Sequence, residues 1–163
     1  MLMVRLCKIA FVAAVALFFT IVAFGNVTDY DSNWQFVQHV LSMDTTFPNS
    51  TLHWRAITDP TLQTAFYWVI IAIEIVTAIL LWAGTFRLLG AVNKPDFNTA
   101  KSTAVAGLAL GFLLYMVGFA TVASEWFAMW QSQTWNAQHT AFDFLTMIIA
   151  VLIFVVFPDP ATD

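Results

Sequence analysis

Four long apolar runs dominate the chain, at about 6–25, 64–84, 102–124 and 139–157, separated by shorter polar stretches. Each is close to the ~20 residues that an α-helix needs to cross a ~30 Å hydrocarbon core. None shows a polar face of the kind a soluble helix keeps for water. The pattern predicts an all-α polytopic membrane protein: a four-transmembrane-helix bundle formed from a single integral membrane domain over 1–163. Outer loops are expected at 26–63 and 125–138.

Local signals sharpen the boundaries. Asp59-Pro60 reads as an N-cap followed by Pro at the first helical position, opening the second span. Lys94-Pro95-Asp96 is expected to open the third in the same way, and Phe157-Pro158 to close the fourth. Ser32-Asn33-Trp34-Gln35 has the form of a capping box. Behind it Trp34, Val37, Val40 and Leu41 share one helical face, opposite Gln35, Gln38, His39 and Ser42. A short amphipathic helix at about 33–43 is therefore expected in the first outer loop, on the membrane surface or capping the bundle, with Phe47-Pro48 stopping any continuation. The first span resembles a signal peptide in its basic start and its Ala23-Phe24-Gly25. Its apolar stretch is too long for one, so it is expected to be retained.

Composition agrees with lipid as the solvent. Hydrophobic residues make up 60% of the 163 residues and charged residues 10%, against about 25% charged in a typical soluble domain. The six basic residues form no stripe able to neutralise phosphates, which argues against nucleic acid. One cysteine, Cys7, excludes an internal disulfide and a Cys-based zinc cage. Arg5, Lys8, Arg87, Lys94 and Lys101 flank the spans on one side and only Arg55 lies on the other, which predicts both termini in the cytoplasm.

Candidate chemistry is sparse. Glu74 falls about ten residues into its span, ~15 Å deep by helical rise. An ionised carboxylate there is costly, so it should face the bundle, be protonated or meet water. No Lys or Arg matches its depth, whereas Tyr115 does. Asp143 is a third intramembrane polar residue, spaced i, i+4 from His139. His39, His53, His139 and Asp143 are the candidate metal ligands, but no HxxxH or HExxH pattern joins them, and neither metal nor any other cofactor is expected. Gly107, Gly111 and Gly118 form a small-residue stripe suited to close helix packing. Trp34, Trp54, Trp68, Trp126, Trp130 and Trp135 fall near the outer face and Trp82 near the inner end of its span, as an interfacial belt would. Trp126, Met129 and Trp130 are expected on one face of a short helix.

The runs Asn26–Val37, His39–Pro48 and Glu125–Ser132 resemble a proteobacterial family of small integral membrane proteins of unknown function. The resemblance covers nearly the whole chain and implies a bacterial inner-membrane protein with its outer loops in the periplasm. It carries no activity, cofactor or catalytic residue. The family often has a basic residue where this chain has Asp143, so no charge pairing is carried over there. Three functions are compatible with these features. The first is a non-enzymatic accessory or assembly subunit that associates with other membrane proteins or with itself. The second is a small proton-linked transporter or sensor using Glu74. The third is an enzyme acting on a lipid or quinone through His139, Asp143 and Glu125.

Overall fold

The structure, a computed structural model, describes residues 2–160. It is all-α, with no strand among the described residues and four helices long and apolar enough to span a bilayer: Leu2–Thr28, Pro60–Gly90, Phe97–Trp126 and Gln138–Val156. On the first helix, α1 (Leu2–Thr28), Ile9, Val12, Ala16, Phe19 and Ala23 are buried at helical spacing. Phe11, Leu17, Ile21 and Phe24 on the opposite side are exposed and equally apolar. A helix greasy on both faces has no water-facing side; its outer face suits lipid.

Only Asp29 separates α1 from α2 (Tyr30–Ser42). The expected capping box at Ser32 is not used. The helix starts earlier, and Ser32 Oγ instead donates to Asp29 Oδ1 from within the first turn. Its end falls where expected. Met43 adopts the left-handed conformation (φ 54°) and its N–H returns to Val40 O, so the helix stops before Phe47-Pro48 is reached. The amphipathic face is as expected: Val37, Val40 and Leu41 are buried against Tyr67, Ile71, Phe127, Ala128 and Met129, and α2 caps the bundle.

The third helix, α3 (Pro60–Gly90), begins at the expected cap, with Asp59 Oδ1 accepting from the N–H groups of Thr61 (2.7 Å) and Leu62 (3.2 Å). Those bonds, the Leu62 one foremost, hold the Asp59 carboxyl below its usual range. At its far end α3 runs six residues beyond the expected 84. The third span opens differently from the second. Pro95 lies in a turn, the short α4 (Phe97–Ala100) starts after Asp96 without a side-chain cap, and α5 (Ser102–Leu113) follows.

From Leu114 to Trp126 the third span is a π-helix, shown by Phe127 N–H bonding to Val122 O five residues back and by Thr121 Oγ1 bonding to Met116 O. That wider winding changes the glycine stripe. A Cβ on Gly107 would meet Leu81 at 2.9 Å and one on Gly111 would meet Phe19 at 2.7 Å, so both seat α5 tightly on its neighbours. Gly118 meets only its own turn, at Leu114 (3.6 Å), because i+7 no longer returns to the same face once the helix is π-wound. Among the glycines the tightest seat is instead at Gly84, where an added Cβ would lie 2.6 Å from the Ala104 backbone.

The second connection is not one short helix. Ala128 is left-handed (φ 52°) and breaks the winding before a 3-10 turn at Met129–Gln131. Met129 is therefore buried while Trp126 and Trp130 are exposed, and the three share no face. The two connections are tied together by Thr45 Oγ1 to Ser132 Oγ, Phe47 N to Gln131 Oε1, and Arg55 to the Trp126 carbonyl. The last helix, α6 (Gln138–Val156), ends before Phe157-Pro158 as expected. Both connections and α2 thus form a loop end, and both described chain ends meet at the opposite, terminal end.

Candidate functional site

The loop end covers a cavity of about 240 Å³ under α2, with Glu74 in its wall. Glu74 lies midway along α3 on the same face as Tyr67 and Ile71, seven and three residues earlier, and all three are buried. The Asn26 side-chain amide donates to Glu74 Oε2 at 2.7 Å, and the Asn26 carbonyl accepts from the Tyr67 hydroxyl at 2.9 Å. Asn26 thus joins both α3 groups to the end of α1. Tyr115, buried, lines the same space from the first turn of the π-helix. No hydrogen bond links it to Glu74 among the described residues. Asn33, Phe36, Phe119, Thr140 and Phe144 also line the cavity.

The residues that share the cavity with Glu74 include several from the loop-end half of the bundle. Its partner Asn26 is two residues from the end of α1, and the cavity is shared with Ala141 and Phe144, in the first two turns of α6. Below Glu74 the floor is aromatic: Phe18 contacts Phe19 and Phe144, and Tyr115 contacts Phe19 and Phe144, with ring centroids 4.8–6.1 Å apart.

The other sequence candidates lie elsewhere. Asp143 is exposed on the outside of α6, away from Glu74, and His139 is exposed beside it. His39 Nδ1 pairs with Asp44 (2.7 Å) and its ring stacks on Trp135 (4.7 Å), whereas His53 bonds the Thr46 hydroxyl. Among the described residues no three metal-ligating side chains come together. Trp54, Trp68, Trp126 and Trp130 are exposed; Trp34 donates to Thr64 and Trp82 to Thr20.

A second polar cluster, at the terminal end, was not visible in the sequence. Lys8 and Lys101 Nζ lie 2.6 and 2.5 Å from Asp159 Oδ2, and both also donate to the Phe157 carbonyl. Arg5 donates to the carbonyls of Val92, Lys94 and Pro160, and its guanidinium lies over the Phe97 ring at 4.8 Å. Arg5 and Lys8 are each 1% exposed. Burial alone would raise the Asp159 carboxyl, but the Lys101 and Lys8 ammonium groups outweigh it and hold it below its ordinary 3.8. Asp159 Oδ2 takes both ammonium groups, so the cluster clasps the segment after α6 to α1 and to the start of α5, while Arg5 Nε is buried without a hydrogen-bond partner among the described residues.

The sequence did not reveal Asn26 as the partner of Glu74, nor Tyr67 as the group that holds Asn26. The only signal was a polar residue near the end of one span and a Tyr two helical turns before a buried Glu in another; nothing local pairs them. No curated protein and no solved structure matches the chain. The family described as "Predicted small integral membrane protein (DUF2165)" matches residues 4–158. With four membrane-length helices and a family match over nearly its whole length, this chain is an integral, multi-pass membrane protein and belongs to that family.

Proposed function

We propose that the protein is a small bacterial inner-membrane sensor or carrier, one integral domain, whose working group is Glu74 in a cavity facing the periplasm. The observation that carries this is the cavity itself. A carboxylate inside a membrane helix is expensive to keep, and here it lines open space instead of being sealed between helices. The aromatic floor beneath it favours binding and response over a through-going pore. In proteoliposomes, a water-soluble carbodiimide with glycine ethyl ester added from the loop side should modify Glu74, read by mass spectrometry. Modification of exposed carboxylates such as Glu125 with Glu74 untouched would remove this reading.

The sidedness rests on charge. The five basic residues that flank the spans sit at the terminal end and Arg55 at the loop end, so the termini are assigned to the cytoplasm. Single cysteines at positions 50 and 133, in a Cys7→Ser background, should react with an impermeant maleimide in the periplasm of whole cells. Labelling only from the cytoplasmic face of inverted vesicles would reverse the assignment.

An accessory or assembly-subunit role is a second reading, supported by the cross-tied loop end and its exposed Trp54, Trp126 and Trp130, a surface on which a membrane partner or a second copy could dock. Co-purification from native membranes in mild detergent tests it. Lipid or quinone chemistry has less support, since His139, Asp143 and Glu125 are exposed and none lines the cavity.

A further inference from the structure

The walls around Glu74 specify a ligand chemistry, provided that Glu74 is the working group proposed above. Among the described residues Glu74 is the only acidic one lining the cavity, and no Lys or Arg lines it. Asn26 occupies Glu74 Oε2 only as a single hydrogen-bond donor, which leaves the carboxylate able to accept further bonds. Around it stand the rings of Phe36, Tyr67, Tyr115, Phe119 and Phe144. Ring faces are electron-rich and attract a cation, most strongly where water is excluded.

This combination discriminates. An anion would meet one carboxylate and no positive charge. A bare metal cation such as Mg²⁺ or Ca²⁺ needs about six or more oxygen ligands, and the aromatic rings supply none. A cation carrying carbon substituents suits both features, its charge against Glu74 and its substituents against the rings. The volume of about 240 Å³ lies below the ~300–1,000 Å³ typical of drug-sized pockets, so only a small group can enter.

We propose that the cavity binds a small organic ammonium ion, seated on the Glu74 carboxylate and enclosed by Tyr115, Phe119 and Phe144. Such a group occurs in a free amine and in the ammonium head of a bilayer lipid reaching in from the loop end. The chemistry is common to both.

The test uses the full chain in nanodiscs made only of phosphatidylglycerol, which lacks an amine, with protein-free nanodiscs as the blank. The probe is trimethylphenylammonium, and tert-butylbenzene is its uncharged isostere. The cation should bind roughly tenfold or more tightly than the isostere. Glu74→Gln should abolish that preference while its thermal midpoint in the same nanodiscs stays unchanged, since Gln keeps the size and an acceptor for Asn26. Equal binding of the two probes, or cation binding that survives in Glu74→Gln, overturns the proposal.

Adding phosphatidylethanolamine to the nanodiscs then assigns the source. Displacement of the probe points to a lipid head group and undiminished binding to a free amine, and either supports the ammonium site. If carbodiimide reaches Glu74 but the cation shows no preference, the ligand class is wrong and the working-group assignment stands. If carbodiimide fails to reach Glu74, both fall.

Discussion

Asp159→Ala should cost about 3–5 kcal/mol of unfolding stability, the usual penalty for removing one member of a buried ion pair. The substitution strands two ammonium groups at once, since Lys8 and Lys101 both rest on Asp159 Oδ2 and Lys8 is 1% exposed. The two bonds of the Asn98 side-chain amide to the Asp159 backbone do not involve the carboxylate, so they survive and the change isolates the charge. Unfolding in mixed detergent micelles, followed by Trp fluorescence, measures it. A loss under ~1 kcal/mol would mean that the two lysines reach water and the clasp is weak. The pH dependence has a definite sign. The folded carboxyl lies below its unfolded value near 3.8, so the clasp is at full strength above that pH. Its contribution is lost as the pH falls further, through the folded value. Wild type should therefore lose stability on acidification below pH 3.8 by more than Asp159→Ala does.

Gly84→Ala should destabilise by about 1–3 kcal/mol or more, although it adds a single methyl group. The new Cβ would lie 2.6 Å from the N and Cα of Ala104 and 2.8 Å from its Cβ. Those are backbone atoms of a neighbouring helix, so no side chain can swing away and α3 and α5 must separate. Gly25→Ala is the matched control. It sits within α1 with nothing within 4 Å of the added carbon, and Ala is the better helix former, so it should be neutral or stabilise by up to ~1 kcal/mol. Parallel unfolding curves should place Gly84→Ala below wild type and Gly25→Ala at or above it. A Gly84→Ala curve that matches Gly25→Ala would show that the bundle takes up the added methyl group without cost.

Both predictions rest on features that the sequence hides, whereas the spans themselves were legible. Lipid imposes one strong rule, that every backbone polar group be satisfied within its own segment, and long apolar helices are its signature. The Asp59-Pro60 cap and the buried face of α2 followed from equally local rules, helix-end hydrogen bonding and the 3.6-residue period. Local rules failed where a single residue changed conformation. Met43 and Ala128 turn left-handed, and the span winds as a π-helix after Leu113, although no Pro or Gly marks any of these points. Each shift moves later side chains to other faces, which is why Gly118 left the packing stripe and Met129 parted from Trp126 and Trp130.

Composition and spacing within single segments were enough for the solvent, the number of crossings, the presence of a carboxylate inside the second span at Glu74 and the charge asymmetry between the two ends. The tertiary structure decided what those groups meet. Asn26 reaches Glu74 across 48 positions and Lys8 reaches Asp159 across 151. Gly84 is the tightest of the glycine seats because its face of α3 lies against the Ala104 backbone at the start of α5. Apolar helices carry little record of which faces touch, since lipid-facing and bundle-facing side chains are equally greasy. The cavity beneath α2 exists only once that choice of faces has been made.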